Sequence, residues 1–218
     1  MNKEEKEKIL DRYSKRLMEH GTSPKTLGWD KERHFLRYHI LLSMWKLNKD
    51  TKLLDFGCGF GDVYDYLSIN KIDLKYEGVD INHDLIQAGK EIYPGANLIC
   101  NDFLNCQTKN VYDYIISSGV HNFKINDNWG FIEKTFDKFN KCAKKGFAIN
   151  FISNKVQKEF KKSHLYYTSP SKILNLAYKY SNKVILRNDY MPFEFTIMIN
   201  LEDDFDLNKV VYPEYINF

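Results

Sequence analysis

Residues 52–67, Lys-Leu-Leu-Asp-Phe-Gly-Cys-Gly-Phe-Gly-Asp-Val-Tyr-Asp-Tyr-Leu, restrict the fold more than any other stretch. Leu53 and Leu54 close a short apolar run of the kind found in strands buried on both faces. Asp55 follows, then glycines at alternate positions 57, 59 and 61, and an amphipathic helical pattern resumes at Val63, Tyr66 and Leu67. Glycine is required where the backbone turns with positive φ or where a ligand approaches bare main chain. A strand, a glycine turn and a helix start together make a crevice rich in free N–H groups.

The spacing narrows the ligand. A dinucleotide fingerprint requires G-x-G-x-x-G, with a pyrophosphate over the helix dipole. This chain has Asp55-x-Gly57-x-Gly59-x-Gly61, followed at once by Asp62. Two carboxylates at such a turn repel a pyrophosphate and suit a ligand that carries an ammonium and no phosphate. An NAD-dependent oxidoreductase is disfavoured on the same ground.

At 218 residues the chain is long enough for one α/β domain with a sizeable core. A net charge of +3 sets up no strong field for nucleic acid, so a small-molecule partner is expected. The longest apolar runs, such as residues 40–45, fall short of a membrane span. The start, Asn2-Lys3-Glu4-Glu5-Lys6, does not read as a signal peptide. Cys58, Cys100, Cys106 and Cys142 form no C-x-x-C pair, which fits reduced thiols in a cytoplasm better than disulfides or zinc. Exposed aromatic residues in the first helices and at 212–218 fit a homodimer interface equally well as packing.

Residues 2–19 follow an amphipathic helical pattern, with Ile9, Leu10, Tyr13 and Leu17 on one face and Gly21 as its stop. A loop holding Pro24, Gly28 and Trp29 leads to a second helix expected over 31–47. These helices, within residues 1–48, form a cap able to fold across the crevice mouth. Beyond the glycine turn, strands are expected at 74–80, 97–100, 112–117 and 146–152, and helices at 84–92, 129–139 and 169–180. An antiparallel pair at 183–186 and 194–201 closes the pattern. No repeat or linker interrupts it, so 1–218 is read as one domain with its core at 51–201.

The glycine turn, Asp80 nineteen residues past Gly61, Asp102, and the loop after the fourth strand come in an order that resembles the class I S-adenosylmethionine-dependent methyltransferases. The resemblance covers about residues 51–201. It implies a Rossmann-like three-layer α/β sandwich, with a seven-stranded, mostly parallel sheet, a C-terminal antiparallel hairpin and an N-terminal helical cap. It also implies S-adenosylmethionine as cofactor and S-adenosylhomocysteine as product. Asp55, Gly57, Cys58, Gly59 and Gly61 would form the cofactor turn, Asp102 would take the adenine amino group, and Phe103 would touch the ring. Asp80, at a strand end, can accept both ribose hydroxyls, with Ile81 against the adenine; an aspartate at a helix start capped by Asn82 is the other reading. The family's nucleobase-methylating branches carry (Asn/Asp)-Pro-Pro-aromatic or Pro-Cys, whereas this chain has Ser117-Ser118-Gly119-Val120. Leu27-Gly28-Trp29, Ala148-Ile149-Asn150-Phe151 and Asp189-Tyr190-Met191-Pro192-Phe193-Glu194 are similar to small bacterial methyltransferases of surface-polysaccharide gene clusters. That similarity implies O-methylation of a sugar, a nucleotide sugar or a phosphoramidate-type glycan precursor. The competing expectations are an RNA or protein methyltransferase, or an inactive cofactor-binding protein.

Ligands of open α/β sheets sit outside the carboxyl ends of the strands, so residues 118–122 face the reacting centre. Ser118 is assigned to the cofactor side. His121 is the candidate general base for an acceptor hydroxyl, or else a loop histidine bonded to backbone. An acceptor that is already anionic needs no base, and His121, Asn122 and Asn150 then only hold it. Tyr166, Tyr167, Tyr190, Glu194 and His164 complete the acceptor candidates, the tyrosines either closing over a polar acceptor or serving as packing. Trp29 is a lid over the cofactor or a core residue, and Arg37 reaches the cofactor's carboxylate or lies on a solvated face. Lys158, Lys161 and Lys162 with His164 make a basic patch, either solvated or attracting an anionic acceptor. After the fourth strand only Asp127 suits a hard cation, so no metal is expected.

Overall fold

Leu53 and Leu54 are neighbours on one strand and both are fully buried, which requires side chains packed on each face of the sheet. The computed structural model describes residues 1–28, 33–107, 111–202 and 204–217. In it β1 (Lys52–Phe56) is central, flanked on one side by β2 (Lys75–Asp80) and then β3 (Leu98–Cys100). On the other side lie β4 (Tyr112–Ser117) and β5 (Ala143–Ile152), and these five strands are parallel. The hairpin β6 (Val184–Arg187) and β7 (Glu194–Asn200) completes the sheet, β7 running antiparallel to β5. The order β3-β2-β1-β4-β5-β7-β6 is the Rossmann-like arrangement expected. Connections from β1 leave to one side and those from β4 to the other, which opens a crevice at the carboxyl ends of these two strands.

α1 (Lys3–His20), α2 (His34–Leu42), α3 (Asp62–Ile69), α4 (His83–Ile92), α5 (Asn128–Cys142) and α6 (Pro170–Ala177) complete the regular structure. Leu54, Phe56, Ile115, Phe147 and Ile149 face α5 and α6, which present Ile132, Phe136, Phe139, Ile173 and Leu176. Leu53, Ile116, Ala148 and Met198 face the opposite layer, built from Tyr38, Leu41, Val63, Leu67 and Ile86. Among the described residues, no helix is long and apolar enough to cross a membrane.

α1 lies outside both layers, over the carboxyl ends of the strands. A capping box of Asn2 and Glu5 starts it. Polar contacts pin it along its length: Lys6 pairs with Asp102, Ser14 Oγ donates to Asp84 Oδ2 at 2.6 Å, and Asn82 Nδ2 donates to the Leu10 carbonyl at 3.3 Å. A second cover is the strap 164–168. Its backbone pairs with the loop after β4 (Lys124 N–His164 O 3.0 Å, Tyr166 N–Asn122 O 3.0 Å) and with the end of β5 (Thr168 N–Ile152 O 2.8 Å).

Several boundaries differ from expectation, and α5 runs three residues further, to Cys142. α2 stops at Leu42, not 47, because the Ser43 hydroxyl bonds back to the Ile40 carbonyl at 2.8 Å and Trp45 leaves the helix to stack on Tyr114, centroids 4.2 Å apart. β5 begins at Ala143, directly after α5, by pairing with Tyr112 across a bulge. α6 ends at Ala177, with Lys179 and Tyr180 closing i→i+3 bonds to Leu176 and Ala177.

Phe136 has no exposed surface and meets Phe147 edge-on at 5.5 Å. Phe136→Ala should lower unfolding free energy by about 3–5 kcal/mol in urea titrations. Ile69→Ala, at an exposed helix end, should change it by less than about 0.5 kcal/mol.

Candidate active site

The turn after β1 is built from left-handed residues: Gly57, Gly59 and Gly61 have φ of 75°, 58° and 90°. A methyl group on Gly57 would stand 2.1 Å from Val120 Cγ2, so the turn and the loop after β4 are in full contact. Gly57 N and Cys58 N both donate to the Val79 carbonyl, at 2.8 and 3.1 Å, which ties the turn to β2. Gly59 N donates to Asp80 Oδ2 at 3.0 Å, and Asn82 N donates to Asp80 Oδ1 at 2.8 Å. The Asp80 carboxylate is thereby fixed in orientation, one N–H on each oxygen.

A cavity of about 490 Å³ opens beside this turn, within the range of small-molecule sites. Asp55, Gly57, Cys58, Gly59, Asp80, Ile81, Asp102, Ser118, Asn122, Arg37 and Glu194 line it. The inner face of α1 lines it too, through Lys6, Ile9, Leu10, Arg12 and Tyr13. Its floor is acidic. Burial raises Asp55 to about 7, partly offset by the Tyr76 hydroxyl at 3.0 Å and assisted by Asp80 and Asp62. Burial also raises Asp80, against the N–H bonds it accepts, and raises Asp62 to about 6. At Asp102 burial pulls upward, but the Lys6 ammonium and the Asn105 amide outweigh it and hold the carboxyl below its usual value.

Several expected residues lie elsewhere or are engaged with protein groups at the cavity wall. Gly61 begins α3 rather than lining the cavity, and Phe103 packs in the core against Phe56, Phe139 and Tyr112. Arg37 and Glu194, assigned to different ligands by sequence, form a bidentate pair with each other, Nε–Oε2 2.7 Å, at the cavity wall. Asn150 is buried and accepts from Gly119 N at 2.8 Å, and Asn122 Oδ1 accepts from Ile152 N at 3.2 Å, so both amides shape the loop after β4. Tyr190 bonds Thr196 at 2.8 Å, the Tyr167 hydroxyl accepts from Lys162 N at 2.6 Å, and Tyr166 packs against the core. Trp29 lies outside the described residues. Sequence reasoning missed Tyr13, Arg12, Leu104, Phe123 and Phe131 as cavity residues. Only the α1 pair left a signal, as neighbours of the apolar stripe Ile9, Leu10, Tyr13.

His121 is 1% exposed and stands behind the cavity wall, between Phe131 and Phe151 at centroid distances of 5.0 and 5.4 Å. Neither ring nitrogen has a partner among the described residues. Burial lowers its pKa from 6.5 to about 3, so it is neutral in the folded protein at ordinary pH. Unfolded chain then binds a proton that native protein does not, and this contribution to stability is lost as pH falls from about 6.5 towards 3. His121→Phe should remove that loss: its urea midpoint relative to wild type should rise between pH 7 and pH 5. A relative midpoint that stays flat would contradict the burial argument.

Comparison with known proteins agrees with this geometry. A family model described as a methyltransferase domain matches residues 53–146. A curated protein of Mycobacterium tuberculosis, described as a putative methyltransferase, is 29% identical over 153 residues, 66% of this chain and 90% of that protein. The fold is similar to magnesium protoporphyrin IX methyltransferase of Synechocystis with bound SAH, at 12% identity, TM-score 0.62, covering 88% of this chain and 94% of that one. It is similar also to a TehB-like methyltransferase of Corynebacterium glutamicum, at 21% identity, TM-score 0.54, covering 91% and 98%. With a methyltransferase-domain model matching from β1 into the start of β5 and an acidic cavity at the glycine turn, the protein is an S-adenosylmethionine-dependent methyltransferase.

Proposed function

We propose that the enzyme O-methylates a small polar acceptor, a sugar, nucleotide sugar or phosphoramidate-type precursor of a surface glycan, in the cytoplasm. The observation that carries the reading is the enclosure of the cavity. α1 and the strap 164–168 cover the strand ends, leaving room for small molecules rather than a broad groove for a polymer. The four thiols, all free, fit a reducing compartment. The short strings around Leu27, Asn150 and Tyr190 support the glycan setting.

The residues present fit the cofactor. Glycine backbone without Cβ atoms allows close approach, and Asp80 keeps lone pairs on both oxygens beyond the two N–H bonds it accepts. In this proposal Asp80 accepts the ribose hydroxyls, Ile81 borders the adenine, and Asp102, held by Lys6, accepts the adenine amino group. Asp55 and the Arg37–Glu194 pair surround the charged methionine end, the guanidinium suiting a carboxylate and the acids an ammonium. When bound, S-adenosylmethionine supplies an electrophilic methyl group. The chain's own contribution is then positioning and exclusion of water. Ser118, assigned from sequence to the cofactor side and with a hydroxyl that is buried and unpartnered among the described residues, lines the cavity with Asn122, and in this proposal the two orient the acceptor oxygen. His121, behind the wall, keeps the loop that carries them packed against Phe131 and Phe151.

Two measurements test the proposal. Asp80→Ala should weaken S-adenosylmethionine binding by at least roughly tenfold in isothermal titration, from loss of about 1.5–3 kcal/mol. Methyl transfer assayed over sugars, nucleotide sugars and phosphorylated glycan precursors should yield an O-methyl product. Transfer confined to RNA or protein substrates would refute the small-acceptor reading.

A further inference from the structure

Charged groups of both signs line the cavity. Asp55, Asp80 and Asp102 come from the strand ends, Asp102 paired with Lys6, whereas Arg12 comes from α1, and Lys162 and His164 from the strap and the segment just before it. None of those three cationic or titratable groups is paired with a carboxylate among the described residues. Arg12 lays its guanidinium over Phe123, 4.8 Å from the ring centroid, and its Nε is buried with no acceptor among the described residues. The His164 ring lies 6.1 Å from the same Phe123 ring. Lys162 is held by its backbone N–H to the Tyr167 hydroxyl, which ties it to the strap, and its ammonium has no carboxylate partner among the described residues. Arg16 differs: it is bonded to the Lys25 and Thr26 carbonyls and closes the loop after α1. Burial, followed by repulsion from Arg12, Lys162 and Arg16, holds His164 below its ordinary pKa, in keeping with a shared space.

Gathering like charges at one edge of a cavity is unfavourable in the empty protein and is relieved by an anion. A guanidinium Nε buried without an acceptor is a donor awaiting one. We propose that Arg12, Lys162 and His164 form an anion subsite for the phosphate or diphosphate of the methyl acceptor, as carried by a sugar phosphate or nucleotide sugar. This subsite rests on the small-acceptor reading above and gives it a charge. The neighbouring Phe123 and Leu165 offer apolar contact to the rest of the acceptor. The covered mouth favours a small phosphorylated molecule over a polynucleotide, whose backbone needs an extended basic track.

The test uses the full chain saturated with S-adenosylhomocysteine, titrated with inorganic pyrophosphate and, separately, with neutral methyl glucoside. Pyrophosphate should bind and the glucoside should give no heat; pyrophosphate affinity should fall at least roughly tenfold in Arg12→Gln and in Lys162→Gln. Melting curves check that each variant folds. If Arg12→Gln does not, Lys162→Gln, in the exposed segment just before the strap, decides alone. Absence of S-adenosylhomocysteine binding to wild type would overturn the methyltransferase reading and the subsite with it. Cofactor binding without pyrophosphate binding, or equal pyrophosphate binding by Lys162→Gln, would overturn the subsite only. A short oligoribonucleotide binding more tightly than pyrophosphate would replace the small acceptor by RNA and overturn it as well.

Discussion

Between Phe56 and Asp62 the chain turns from a buried strand into a helix, and it does so through three residues with left-handed φ. Only glycine adopts that conformation without strain, and at Gly57 even a methyl group would collide with Val120. The rest of the carboxyl edge follows from this turn. Its N–H groups bind the end of β2 through the Val79 carbonyl and the Asp80 carboxylate, so the positions of β2 and Asp80 are set by β1. Its contact with Val120 sets the loop after β4, which Asn150 and Asn122 then hold to β5. A bend that is needed to start α3 thus also places the polar groups of the cavity.

Those polar groups are costly to keep. Burial strips hydration from Asp55, Asp80 and Asp102 at the strand ends, and each is compensated differently. Asp55 has a tyrosine hydroxyl, Asp80 has backbone N–H groups, and Asp102 has the Lys6 ammonium. The last compensation comes from α1, so the cap is coupled electrostatically to the floor it covers. Ser14 and Leu10 extend that coupling to α4. Elsewhere on the cavity Arg12, Lys162 and His164 have no carboxylate partner among the described residues. The placement of three elements, the glycine turn, α1 and the strap, sets the charges of the site.

Much of this was legible in the sequence because it depends on local rules. Alternate glycines after an apolar run specify the turn, and acids at strand ends fall at the crevice by topology. Apolar spacing locates α5 through residues such as Ile132, Phe136 and Phe139. What was not legible depends on contacts far apart in sequence. Arg37 and Glu194 are 157 positions apart, and nothing local tells that the guanidinium takes that carboxylate. His121 follows the fourth strand as an active-site histidine does, yet a single turn of 3-10 helix over Val120–Asn122 swings it behind the wall among phenylalanines. Phe103 follows an acid at a strand end and goes into the core for the same reason: a side chain's direction is decided by packing, not by its place in a motif. The basic patch was visible as a local run, but only the strap's pairing with residues 122–124 brings Lys162 and His164 to the same cavity as Arg12.

In the proposal above, the glycine turn, Asp80 and Asp102 together hold the cofactor under α1. A crystal structure of the protein with S-adenosylhomocysteine tests it most directly. The account predicts both ribose hydroxyls within hydrogen-bond distance of the Asp80 carboxylate, with the sulfur turned towards Ser118 and Asn122. Ligand density away from the turn, or a ribose contacting neither Asp80 oxygen, would contradict it.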